Sequence, residues 1–307
     1  MLRVVRTACV LLGSGLPLVI LATAHAVEGT EITTVSSRVS NGYVRSRLQN
    51  GSFEPETYAF GEGGLQSGPM SDNTIDRLHF IDVARTIAGP LRAQNYLPAN
   101  DPGRIKLLVM VYWGTTAGAG GASSSIAYQN LSTAGRNLSI ANATMKAASG
   151  ADRMSAAAVQ NAAQSEFDSA LAVAAVGNSQ RDRVNRQNAV ILGYDSEFLL
   201  TPGLEFTAFR SRRRDLIDEL EDDRYFVVLM AYDFQMVWKE KKHKLLWEAR
   251  FSIRQRHNDF EKQLAAMAEN ASRYFGQDSH GLVHKPVPEG SVTLGDVKVL
   301  GVESEKK

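Results

Sequence analysis

Large apolar side chains recur at every second position over most of residues 225–254. Phe226, Val228, Met230, Tyr232, Phe234, Met236 and Trp238 form one series, and Leu245, Trp247, Ala249, Phe251 and Ile253 form another. Successive side chains of a strand point to opposite faces, so each series marks one side of an extended segment. Only the polar interval Lys239 to Lys244 separates the two. That order predicts an antiparallel hairpin with one buried face, its aromatic edges turned against a later helix. Asp233, Glu248 and Arg250 fall on the opposite faces, where they are expected to form a cross-strand charge cluster.

The segments around the hairpin give it partners. Ile105 to Trp113 reads IKLLVMVYW, a nearly continuous apolar run expected as a central strand covered on both faces. Phe80, Val83, Ala84, Ile87, Ala88 and Leu91 follow helical spacing after an N-cap at Asp72 or Ser71, with Gly89-Pro90 expected to kink or end the helix. Phe260, Leu264, Met267, Ala268, Ala271, Tyr274 and Phe275 repeat that spacing and stop at Gly276. Glu56 to Phe60 reads as a short strand closed by a turn at Gly61 to Gly64. These elements predict an α+β fold: a small, mostly antiparallel sheet packed on one face by two helices. The domain is placed at 57–276, after a polar lead-in at 27–56 that holds one short strand and before an extended tail at 277–307 with one strand at Val297 to Val302.

Residues 127–192 differ in kind. Alanine, asparagine, serine and glutamine dominate, and Met154, Val159, Phe167 and Leu171 are among the few large apolar residues between 151 and 176. The composition favours helix but the apolar stripe is thin, so a helical insertion is expected, lying over the domain or projecting from it. Gly118, Gly120 and Gly121 precede it without the spacing of a phosphate-binding loop. After it, residues 210–224 carry Arg212, Arg213 and Arg214 followed by Asp218, Glu219, Glu221, Asp222 and Asp223, read as a solvated helix face.

The first 26 residues predict export. Arg3 and Arg6 lead an apolar run from Ala8 to Ala24, and Ala24-His25-Ala26 offers a small-x-small cleavage site. Gly13, Gly15 and Pro17 interrupt that run, which is shorter than the ~20 apolar residues a membrane span needs. Cleavage after Ala26 leaves a periplasmic or extracellular chain without a stable transmembrane segment. The single cysteine, Cys9, leaves with the leader, which excludes disulfides, zinc-thiolate sites and a cysteine nucleophile from the mature chain. Losing Arg3 and Arg6 takes the 34 basic residues to 32 against 33 acidic ones, a formal charge of −1. No basic excess marks a nucleic-acid partner.

Motifs for chemistry are few. HExxH, GxSxG and the EF-hand loop do not occur in the sequence, and no cofactor or metal site is expected. His79 lies on a helix margin without a second ligand, and His280 and His284 are read as exposed loop histidines beside Gly281 and Pro286. Asp233 and Glu248 are the candidate catalytic pair: facing carboxylates across a hairpin could share a proton in a hydrolase. The reading preferred here is a non-catalytic binding or structural module, with another envelope protein as partner or with self-association through the helical insertion.

Thr57-Tyr58-Ala59-Phe60, the helix from Asp72 into Asn95-Tyr96-Leu97, the Ile105 to Trp113 strand, Val237-Trp238 and the Phe260 to Phe275 helix together resemble a family of bacterial envelope domains of unknown function, often found in small exported lipoproteins. The resemblance covers about half of the chain and implies an envelope or periplasmic location and a compact α/β sandwich. It supplies no catalytic residues. This chain departs from the family in lacking a lipid-modified cysteine and in carrying the alanine-rich insertion.

Overall fold

The computed structural model describes residues 31–68, 71–121, 125–199 and 207–287, without the side chains of 198, 199 and 207–210. The leader and the strand expected at Val297 to Val302 lie outside them. In chain order the elements are β1 (Ile32–Val39), β2 (Glu56–Gln66), α1 (Asn73–Asp76), α2 (Phe80–Ala93), β3 (Tyr96–Pro98), β4 (Leu107–Thr116), α3 (Ile126–Ala147), α4 (Asp152–Leu192), α5 (Asp195–Leu199), α6 (Thr207–Glu221), β5 (Arg224–Asp233), β6 (Leu245–Arg254), α7 (Phe260–Ser272) and β7 (Val283–Pro286). The α+β class is as expected, but the sheet is not small. Seven strands run in the order β3-β2-β4-β5-β6-β1-β7, with β2 parallel to β3 and β4 and every other pair antiparallel. β1 and β7 come from the segments read as lead-in and tail, so the sheet reaches beyond 57–276 on both sides.

Helices cover both faces of this sheet, where one covered face was expected. On the first face α2 and α7 bring Val83, Ile87, Leu91, Phe260, Leu264 and Met267 onto Val109, Val111, Val227, Leu229, Trp247 and Phe251. Fully burying each such side chain stabilises the fold by roughly 1.5–3 kcal/mol. Trp247 stacks on Phe275 at 5.9 Å between centroids and tilts against Tyr96 at 5.7 Å. On the second face the end of α4 and α6 supply Ala189, Leu192, Leu216 and Leu220 against Phe226 and Val228.

This second layer overturns the expected hairpin geometry. β5 turns Tyr225, Val227, Leu229 and Ala231 towards α7, and Phe226 and Val228 away from it. The run from Tyr225 to Ala231 is apolar at both parities, so it is buried on both sides and alternation alone picks the wrong face. β6 behaves as expected, with Trp247, Ala249, Phe251 and Ile253 in the same core. β5 also ends at Asp233. Met236–Glu240 forms a π-helical turn that leaves Trp238 exposed. Conversely β4, expected to be covered on both faces, keeps Leu108, Met110 and Tyr112 only half-buried, because the second layer reaches Tyr112 and Met230 only at its border.

Two breakers do not break. Gly61, Gly63 and Gly64 continue β2 through a bulge instead of closing it, since a Cβ at Gly61 or Gly63 would overlap Met110 Sδ or the Tyr112 ring of the neighbouring strand. Pro90 sits inside α2, which runs on to Ala93 with Ile87 and Leu91 fully buried. One missing amide donor costs less than that anchorage supplies. Asp72 is the N-cap as expected, accepting from the Thr74 amide at 2.9 Å, but the helix it starts is the single turn α1.

The insertion is an antiparallel helical hairpin. Asn142 accepts a hydrogen bond from Gln160 at 2.8 Å, and Gly135 lies against Phe167. Ala134 and Ala141 of α3 and Ala156, Ala163 and Ala174 of α4 are buried between the helices, at multiples of seven or in 3–4 steps. α4 has 41 residues, about 61 Å of helix. Its first half carries α3. From Arg181 onward the same row of α4 turns to the sheet: Arg181 and Asn185 bind Glu221, and Asn188 donates to the carbonyls of Ala117 and Leu220, both at 3.0 Å.

Candidate functional site

The richest polar cluster lies where α6 crosses β1 and β7. The ladder sets its floor, because Ser252, Thr34 and His284 are directly paired across β6, β1 and β7 and therefore share a face, the one bearing Phe226. Arg224, two residues before Phe226, projects to the same side and is buried. Glu219 reaches into it from α6, three residues after the buried Leu216. A cavity of about 270 Å³ opens beside them, lined also by Glu31, Ile32 and Arg254.

The hydrogen bonds converge on the Glu219 carboxylate. Tyr194 donates its hydroxyl at 2.5 Å, Thr34 Oγ1 at 3.3 Å and His284 Nε2 at 2.8 Å. An ionised carboxylate can only accept, so Nε2 of His284 carries the proton. Arg224 Nη1 stands 3.7 Å from the same carboxylate, while Nη2 donates to Thr34 Oγ1 at 3.1 Å and Nε to Ser252 Oγ at 3.1 Å. Burial works to raise the Glu219 pKa, but the His284 bond, the Arg224 charge and the Tyr194 hydroxyl prevail and push it down to about 2. His284 is raised by its bond to Glu219, against burial, and Tyr194 is raised chiefly by burial.

A carboxylate so firmly ionised is a poor proton donor near neutrality, where general acid–base groups need a pKa close to the working pH. The arrangement instead clasps α6, the loop carrying Tyr194 and β7 to the sheet. Sequence reading missed it twice. His284 is exposed as expected but stands in β7 rather than in a loop, and Glu219 was taken for one of a run of solvated charges. The available signal was Leu216 and Leu220, whose spacing puts Glu219 beside the apolar stripe of α6.

The predicted pair is not assembled. Asp233 is paired with Leu107, on the α2/α7 face, and its Oδ1 caps the π-helical turn by accepting from the Met236 amide at 3.1 Å. Glu248 is paired with Met230 on the other face and forms an ion pair with Arg250, largely buried where a wet charge cluster was expected. Carboxylates on opposite faces of a sheet cannot share a proton. The glycines before the insertion also have structural duties: the Gly118 amide donates to Asp223 Oδ1 at 2.7 Å, and a Cβ there would overlap the Glu221 carbonyl. His280 is exposed, as expected. Among the described residues no group of three or more His, Cys, Asp or Glu is placed to hold a metal ion, and no helix is long and apolar enough to cross a membrane.

No protein-family model and no curated protein matches the chain. Among solved structures, a PDZ domain protein from Parabacteroides distasonis ATCC 8503 superposes with a TM-score of 0.34 at 9% identity over 84% of this chain. The chain spans 40% of that structure's length.

Proposed function

We propose that this is an exported envelope or periplasmic protein that acts as a non-catalytic binding module, its globular body serving to hold out the α3/α4 hairpin. The observation that carries the reading is the build of that hairpin. α4 is fixed at its base by Arg181, Asn185 and Asn188, whereas its distal half has α3 as its packing partner and leaves aliphatic side chains exposed. The basic, apolar and small-x-small order of residues 1–26 supports export. The hydrolase reading loses its support with the separation of Asp233 from Glu248, and Glu219 does not replace them.

Two measurements test this. N-terminal sequencing of the chain recovered from its host is expected to begin at Val27, and an intact Met1 would refute export. Affinity purification from envelope fractions is expected to retain partners that are lost when residues 126–176 are replaced by a short Gly/Ser link. A Glu219→Gln, Asp233→Asn, Glu248→Gln triple variant is expected to keep those partners, and a substrate whose turnover it abolishes would overturn the reading.

A further inference from the structure

The hairpin has a second pair of rows, one residue before buried or half-buried positions along the seam between the helices. On α3 it comprises Ile126, Asn130, Thr133, Asn137, Ile140 and Thr144, and on α4 Val159, Ala162, Glu166, Ser169, Val173 and Val176, all exposed. The steps alternate between three and four residues throughout, the spacing of a helix-packing seam. A residue turns the helix by about 100°, and α3 and α4 are antiparallel, so the two rows project to the same side of the hairpin. Ile126, Ile140, Val159, Val173 and Val176 are between 57 and 76% exposed there.

The rows match each other level by level. The Asn142–Gln160 bond and the Gly135–Phe167 contact set the register, which puts Ile126 beside Val176 and Val173, Thr133 beside Ser169, and Ile140 beside Ala162, one turn from Val159. Aliphatic levels and polar levels thus coincide on the two helices. Glu166, the one charged residue in the rows, stands level with Asn137 and with Arg136, whose Nη2 is held on Thr133 Oγ1 at 3.1 Å.

A two-fold axis running along the hairpin would lay α3 of one copy on α4 of another at unchanged level. Ile126 then meets Val176 with Val173 a turn away, Thr133 meets Ser169, Ile140 meets Ala162 with Val159 a turn away, and Glu166 meets Asn137 and the Arg136 guanidinium. Every adjacent helix in the resulting four-helix bundle is antiparallel, and the two contacts are identical by symmetry. The face is about 33 Å by 20 Å, so pairing would bury on the order of 1,300 Å² in total, within the range of stable complexes.

We infer that this face is the interface with a second copy of the same chain, which pairs through it into a parallel dimer of hairpins. The inference rests on the binding-module reading and names its partner. The test is sedimentation of the intact chain as isolated from its host, with Ile140→Glu/Val173→Glu as the disrupting variant and Met154→Glu/Leu171→Glu, on the other side of the hairpin, as the control. The wild type and the control are expected at twice the chain mass and the disrupting variant at once; helical content equal in all three keeps the comparison clean, since every replaced side chain is exposed. Under oxidation, a mixture of Thr133→Cys and Ser169→Cys chains is expected to give a covalent dimer that neither gives alone. Dimerisation of Thr133→Cys by itself would overturn the proposed geometry, and a monomeric wild type would overturn self-association. If a monomer still loses its envelope partners on Ile140→Glu/Val173→Glu, the face binds a different occupant; if it keeps them, this face is not the binding surface, and the binding-module reading is decided by the replacement of residues 126–176.

Discussion

Glu219→Gln isolates the clasp between α6 and the sheet. Glutamine keeps the shape and removes the charge that Arg224 and His284 face. In the folded chain the Glu219 carboxyl is held at about 2 against an ordinary 4.5, and its side chain is only 22% exposed, so solvent screening is small. The displacement corresponds to about 3 kcal/mol of folding free energy. Because the folded-state pKa lies below the unfolded one, this stabilisation is complete above 4.5 and is lost as the pH falls towards 2. His284 has the opposite sense: raised in the folded state, it contributes fully below 6.5 and loses its contribution as the pH rises through its folded value. The difference between wild type and Glu219→Gln should therefore peak between pH 4.5 and 6.5 and shrink on both sides. Other depressed carboxyls, such as Asp72 and Asp195, act equally in both proteins and cancel. The assay is urea unfolding from pH 2 to 9, reading the midpoint at constant slope. A difference that stays flat across that range, or is under about 1 kcal/mol at pH 5.5, would refute the clasp.

Three further outcomes follow from the packing. Trp247→Ala, which empties a fully buried site between Tyr96 and Phe275, should cost about 3–5 kcal/mol by chemical denaturation. Gly118→Ala should lower the thermal midpoint by several degrees, since its Cβ meets the backbone of Glu221 and Asp222 rather than a movable side chain. Asp233→Asn and Glu248→Gln should be additive within about 0.5 kcal/mol, as expected of residues on opposite faces without common partners; strong coupling between them would restore the acidic-site reading.

Local signals carried the class, α7, the N-cap at Asp72 and the helical nature of the insertion. They failed wherever the answer depended on what a distant segment covers. β4 and β5 are both nearly continuous apolar runs, and nothing within either shows that the end of α4 and α6 come to rest on β5 and stop at the edge of β4. β1 was read as no more than one short strand of a polar lead-in because Thr33, Thr34, Ser36 and Ser37 are buried as polar residues, Thr34 and Ser37 with side-chain hydrogen bonds to other segments. Glu219 and His284 are 65 residues apart and meet only through the sheet order, so no spacing rule could pair them. The glycines of β2 were misread for a related reason: their purpose is to admit Met110 and Tyr112, side chains of another strand.

α4 is one uninterrupted rod from Asp152 to Leu192, gripped by α3 at one end and by the sheet at the other. No proline and no break in the helix separates the two grips. A pull applied near Met154 is therefore passed along a single helix to Asn188 and the segments it binds, so the hairpin is built as a lever rather than a tether, its orientation in space inherited from the body that bears it.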